Sequence, residues 1–154
     1  MSLGTLLLTA VLSATIPVPH RAPDKVCLAT GYQPNQTVAN CGRDNRPHID
    51  KCAGGGPNAA WTGQRLEDWH CAVSQSKPRA FEYGDILVIG DPVNRKVLVV
   101  DCGPGVRADQ VDVCFIWSKQ YRAFMKAQAA RGTRRVNVWK VGKVSREEAR
   151  RWKP

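Results

Sequence analysis

Between residues 85 and 115 the sequence leaves room for little except a small, densely packed sheet. Ile86, Leu87, Val88 and Ile89 form a short apolar run, Gly90-Asp91-Pro92-Val93-Asn94 forms a turn, and Val97 to Val100 forms a second run. Two such runs on either side of a turn make a hairpin. Both are almost wholly apolar, which suits strands packed inside a small barrel with other elements outside. Further on, Val111, Val113 and Phe115 alternate with Asp112 and Cys114. That period of two marks a half-buried strand with a carboxylate on the face away from the valines.

The flanking segments complete a mainly β pattern. Val26 to Thr30 is a candidate first strand, and residues 33–65 are loop-like, with Asn, Gly and Pro clustered. Gly54-Gly55-Gly56-Pro57 lacks the Gly-Lys-Ser or Gly-Lys-Thr ending of a phosphate-binding loop. Tyr121, Phe124, Met125 and Gln128 recur at helical spacing and predict a helix over 118–130, with Ser118 as N-cap and Gly132 as terminator. Val136, Val138 and Val141 predict a closing strand, and Ser145 followed by Glu147 and Glu148 predicts a short capped helix. Several short strands with one inserted helix fit a small closed barrel with few exposed edges.

A chain of 154 residues is the size of one domain. The expected organisation is a signal peptide or N-terminal arm over 1–20, a barrel domain over 21–144 that includes the 33–65 loop region, and a basic helix or tail over 145–154. The run from Leu6 to Leu12 resembles the apolar centre of a signal peptide, although no positive charge precedes it. It is too short to span a membrane, which takes about 20 apolar residues. Six cysteines, at 27, 41, 52, 71, 102 and 114, are many for this length and suggest disulfides in an exported chain. Cys102 and Cys114 lie in one compact segment and are the expected pair. Cys27, Cys41, Cys52 and Cys71 would then staple the glycine-rich region before residue 72. Zinc is the competing account, since Cys41, His48, Cys52, His70 and Cys71 offer soft ligands, but there is no Cys-x2-Cys knuckle. No metal and no organic cofactor is expected.

The net charge of +10 attracts polyanions, either nucleic acid or a cell wall bearing carboxylates and phosphates. No zinc-finger or helix-turn-helix signal accompanies the basic residues, so nucleic acid is not the expected partner.

Two carboxylates stand out. Asp101 ends a strand at the turn Asp101-Cys102-Gly103-Pro104-Gly105, and Asp112 follows eleven residues later within Val111-Asp112-Val113. Glycosidic cleavage needs a proton donor, and a carboxyl group serves near neutral pH when burial or a like-charged neighbour raises its pKa. The plain structural alternative is that Asp101 caps a turn and Asp112 accepts backbone hydrogen bonds.

The segment from Asp101 to Phe115 resembles the Asp-x-Gly and Ile-Asp-x-Phe elements of the three-aspartate domain found in the membrane-bound lytic transglycosylase A family, at the family's interval. The helix at 118–130, the closing Arg135-Val136-Asn137-Val138, the upstream Thr30-Gly31-Tyr32-Gln33-Pro34 and Thr62-Gly63 are similar to further parts of that domain. The Asp-x-Gly-Pro start also resembles rare lipoprotein A and the expansins. The resemblance implies a six-stranded double-psi β-barrel with one inserted helix and, from the cysteines, a disulfide-stapled N-terminal region. It implies Asp112 as acid/base and Asp101 as its supporting partner. Where the family carries its first aspartate, within Cys71-Ala72-Val73-Ser74-Gln75, this chain has Ser74. The lipoprotein-like relatives have a histidine near there, and His70 sits close by without a clear assignment.

The expected activity is lytic cleavage of peptidoglycan strands by a secreted, periplasmic or envelope protein. Tyr32, Trp61, Trp69 and Ser74 are the candidate substrate-binding residues. The alternatives are a non-catalytic polysaccharide binder or expansin-like protein, which better suits the missing carboxylate, and a structural part of an envelope or phage assembly.

Overall fold

The computed structural model describes residues 16–34 and 58–154. The apolar run at Leu6–Leu12, Cys41, His48, Cys52 and the glycine run at 54–56 lie outside the described residues.

Six strands close into a barrel: β1 (Lys25–Tyr32), β2 (His70–Ser74), β3 (Asp85–Ile89), β4 (Arg95–Gly103), β5 (Gln110–Cys114) and β6 (Arg135–Lys143). Their order around the barrel is β1-β5-β2-β4-β3-β6. The pairs β1–β5 and β2–β4 are parallel and the other four are antiparallel, so the sheet is mixed and compatible with a double-psi barrel. The hairpin expected from the two apolar runs is β3–β4, which pairs Ile86 with Leu98 and Ile89 with Arg95.

Alternation sorts the side chains. Val111 and Val113 point into the barrel, as do Cys71 and Val73, Val97 and Val99, and Val136 and Val138, and all are buried. Each buried valine contributes roughly 1.5–3 kcal/mol of apolar transfer. A second apolar cluster lies outside the barrel wall, where Leu98, Val100 and Cys114 are covered by Ala59 and Leu66 of the 58–69 segment and by Ala149. Ala149 belongs to α2 (Arg146–Ala149), which opens with a full capping box between Ser145 and Glu148.

Helix α1 (Ser118–Arg131) packs at one end of the barrel, against β1 and against Phe115 just beyond β5. Phe124 stacks on Phe115 with ring centroids 5.0 Å apart, and Gln128 Nε2 donates to the Ala29 carbonyl at 2.7 Å. The helix ends at Gly132, whose φ of 66° is the left-handed conformation glycine adopts freely. Its start differs from the expectation. Trp117, not Ser118, is the N-cap residue, and it makes no side-chain capping hydrogen bond. The aromatic contacts fix where this helix begins, and they override the capping preference of the serine. Packing is so close here that a methyl group on Gly31 would lie 2.8 Å from the Phe115 ring.

The expected disulfide pairing is corrected. Cys27, Cys71, Cys102 and Cys114 are all free thiols. Cys102 stands opposite Val73 and Cys114 opposite Tyr32, and β2 lies between their two strands. Two inter-strand spacings separate them by about 10 Å, beyond the roughly 4.4–6.8 Å that a disulfide spans. Nearness in sequence misled because the chain crosses the barrel between β4 and β5. Among the described residues nothing staples the N-terminal region, and Cys41 and Cys52 lie outside them.

Candidate functional site

The two aspartates are brought onto one face by register. Asp112 of β5 stands opposite Thr30 of β1 on one side and opposite Ala72 of β2 on the other. Ala72 in turn stands opposite Asp101 of β4. Directly opposed residues on neighbouring strands project to the same side. Thr30, Asp112, Ala72 and Asp101 therefore form one row across the outside of the barrel, with the smallest side chain between the carboxylates.

A register shift between Cys71 and Ala72 makes this row possible. Cys71 opposes Val99 while Ala72 opposes Asp101, so Val100 is the extra residue. Without that bulge, strict alternation would turn Asp101 toward the barrel interior with Val97 and Val99.

Each carboxylate is held by named donors. The Thr30 hydroxyl donates to Asp112 Oδ1 at 2.6 Å, and Gln110 Nε2 donates to Thr30 Oγ1 at 2.6 Å, which orients that hydroxyl. Asp101 accepts from the Ala60 backbone N–H at 2.9 Å through Oδ1 and from the Tyr32 hydroxyl at 3.2 Å through Oδ2. Burial raises the Asp101 pKa above the ordinary carboxylate value, and the Ala60, Cys102 and Tyr32 donors pull it partly back. The Tyr32 phenol is pushed well above its usual range, first by burial and then by the acidic neighbours Cys114, Asp101 and Asp112. Two carboxylates, one of them lifted by burial, form a group able to give and take protons on a sheet surface.

The candidate substrate-binding residues divide. Tyr32 reaches Asp101 directly. Ser74 lies two residues beyond Ala72 on the same side of β2, is buried, and accepts from the Ser76 N–H at 3.3 Å. Trp61 adjoins the Ala60 that binds Asp101, but its ring packs against Tyr83 at 5.6 Å, nearly parallel, and close to Gly84. The Arg79 guanidinium also lies over Tyr83, 4.6 Å from its centroid. Trp69 lies beyond the other end of β2, edge-on to His70, in a hollow with Asp68, Arg95 and Gln120. His70 is fully buried, and its Nδ1 accepts the Glu67 N–H at 3.0 Å. It stands two residues before Ala72 and does not join the carboxylate row. Cys71 points inward, so these two neighbours do not converge as metal ligands.

Sequence reasoning passed over Thr30 as a site residue, along with Gln110, Ala60 and Tyr83. Thr30 alternates with Ala29 and Gly31, which is a usable sign that it faces outward. Its place beside Asp112 follows only from the parallel β1–β5 pairing.

The buried thiols are poor nucleophiles. Burial pushes Cys27 up to about 11 and lifts Cys71 and Cys114 further. Among the described residues no helix is long and apolar enough to cross a membrane. The class defined so far is a closed, six-stranded mixed β-barrel with two carboxylates in one register row on its outer wall, on either side of Ala72. No family model matches the chain, and no curated protein matches it.

Proposed function

We propose that this protein cleaves the glycan strands of peptidoglycan as a lytic transglycosylase does, with Asp112 as acid and base and Asp101 as its supporting partner. The observation that carries the reading is the shared register of Asp112 and Asp101 on either side of Ala72. It gives a resemblance first seen in spacing a common surface on which to act. Both Asp101 oxygens accept protein donors, which suits a group held in place to bias its neighbour. Asp112 then donates its proton to the oxygen linking two amino sugars, and that bond to the anomeric carbon breaks. The sugar's own 6-hydroxyl closes on the same carbon and returns a proton to the Asp112 carboxylate. Substrate of this kind places the protein outside the cytoplasm, in the envelope or secreted. Incubation with purified peptidoglycan should release muropeptides with anhydro ends, detected by mass spectrometry. Ordinary reducing ends, or no release, would contradict the reading.

A second reading is a polysaccharide binder related to the three-aspartate and expansin-like barrels. Ser74 favours it, since a buried hydroxyl stands where the resembled family keeps a third carboxylate. Binding to walls without any release of product from pH 4 to 8, a window bracketing raised carboxyl pKa values of about 4 to 7, would support this alternative.

A further inference from the structure

The net positive charge of this chain is concentrated in one part of it. Residues 118–154 hold 12 of the 23 basic side chains and 2 of the 13 acidic ones. The preceding 117 residues hold 11 of each, so the whole net charge of +10 belongs to α1, β6 and the C-terminal segment. The carboxylate row crosses β1, β5, β2 and β4, whereas β6 completes the far side of the barrel beside β3.

Much of this charge is matched locally. Arg131 pairs with Asp91, Arg135 with Asp109, and Lys140 and Lys143 with the buried Asp85. On α1 the match stops. Lys119, Arg122 and Lys126 are exposed, and none has an ion-pair partner among the described residues. They fall at i, i+3 and i+7, on one face and along about 10 Å of helix. The helix contains no acidic residue.

The fold gains nothing from this arrangement. Lys119 lies in the first turn, where the helix dipole disfavours a cation. Arg122 and Lys126, four residues apart, repel each other. The opposite face carries Tyr121, Phe124 and Gln128, which lock the helix to the barrel, so the cationic stripe is presented rigidly outward. Trp117, partly exposed at the head of the helix, falls by helical spacing on the side of Tyr121 and Phe124 and not on that of the stripe.

We infer that Lys119, Arg122 and Lys126 form a docking surface for an anionic glycopolymer of the cell envelope, one whose sugar or polyol units are joined by phosphodiesters. The choice of an envelope polymer rests on the location proposed above. The cationic stripe does not depend on it. Single-stranded nucleic acid is the poorer fit, because it is held in grooves with successive aromatic platforms, and α1 is convex with one exposed aromatic. The surface would hold the protein on the wall from elements other than the strands that carry the carboxylate row.

The test uses the full chain and poly(glycerol phosphate) as probe, with affinity measured against salt concentration. The triple variant Lys119→Gln, Arg122→Gln, Lys126→Gln is compared with Arg65→Gln, Lys77→Gln, Arg107→Gln, which removes the same charge from exposed positions elsewhere. Circular dichroism establishes that both are folded. The α1 triple is expected to reduce the log–log salt slope by about 2, from the loss of three contacts at roughly 0.7 each, while the control triple leaves it nearly unchanged. Equal losses from both triples, or an unchanged slope in the α1 triple, would overturn the assignment. Tighter binding of poly(dT) or duplex DNA than of the glycopolymer would overturn it in favour of nucleic acid. Release of anhydro products is measured separately, so failure of this surface and failure of the proposed activity are distinguishable.

Discussion

The Thr30 hydroxyl donates to Oδ1 of Asp112 across the parallel β1–β5 pair at 2.6 Å. Gln110 Nε2 donates to the same hydroxyl oxygen, so the proton of Thr30 is directed at the carboxylate. Thr30→Val keeps the shape and removes both bonds. It removes one hydrogen bond from each of two part-buried polar side chains, at a cost of about 1–3 kcal/mol. Chemical denaturation should show that loss with the m-value unchanged. Turnover should fall as well, whereas a merely structural threonine would lower stability alone.

Gly31 is fixed by packing against α1. A Cβ there would approach Phe115 to 2.8 Å and Phe124 to 3.1 Å. Gly31→Ala is expected to destabilise the barrel by roughly 1–3 kcal/mol through overpacking. An unchanged melting temperature would mean that α1 does not seat on the barrel end as described.

The first half of the site was harder to foresee than the second half of the fold. The apolar runs at 86–89 and 97–100, the alternation at 111–115 and the helical spacing of Tyr121, Phe124 and Gln128 each depend on neighbours in sequence, and each corresponds to an element. The position of β2 depends on partners far along the chain. Nothing local in His70–Ser74 says that it lies between β4 and β5, or that a bulge follows Cys71. That one placement separates Cys102 from Cys114 and, in the same stroke, lines up Asp101 with Asp112. The interval between the aspartates was legible in the sequence, but the register that puts them in one row was not.

The thiols give a direct check on the corrected pairing. Under denaturing, non-reducing conditions at least four of the six cysteines should react, since Cys27, Cys71, Cys102 and Cys114 are free. In the native protein Cys102, the half-exposed member of the four, should react first. Cys27, Cys71 and Cys114 are buried with raised pKa values and should react only on unfolding. No reactive thiol after denaturation would contradict the arrangement.

His70 should make stability depend on pH. Burial lowers its pKa to about 4, and its Nε2 has no hydrogen-bond partner among the described residues. The unfolded chain takes up a proton near the ordinary value of about 6.5, whereas the folded chain resists until pH 4. The stability associated with the neutral imidazole is thus fully present above about pH 6.5 and is lost as the pH falls toward 4, by about 3 kcal/mol in all. Denaturation midpoints measured across that range should show the loss, and His70→Gln should flatten it.

The central claim is that Asp112 transfers the proton in glycan cleavage. Asp112→Asn preserves the shape of the side chain and removes the titrating group. Purified peptidoglycan incubated with each protein and analysed by mass spectrometry should give anhydro-ended muropeptides with the unaltered chain. With the variant it should give none, while wall binding stays largely intact. Product release by Asp112→Asn at the rate of the unaltered chain would contradict the account.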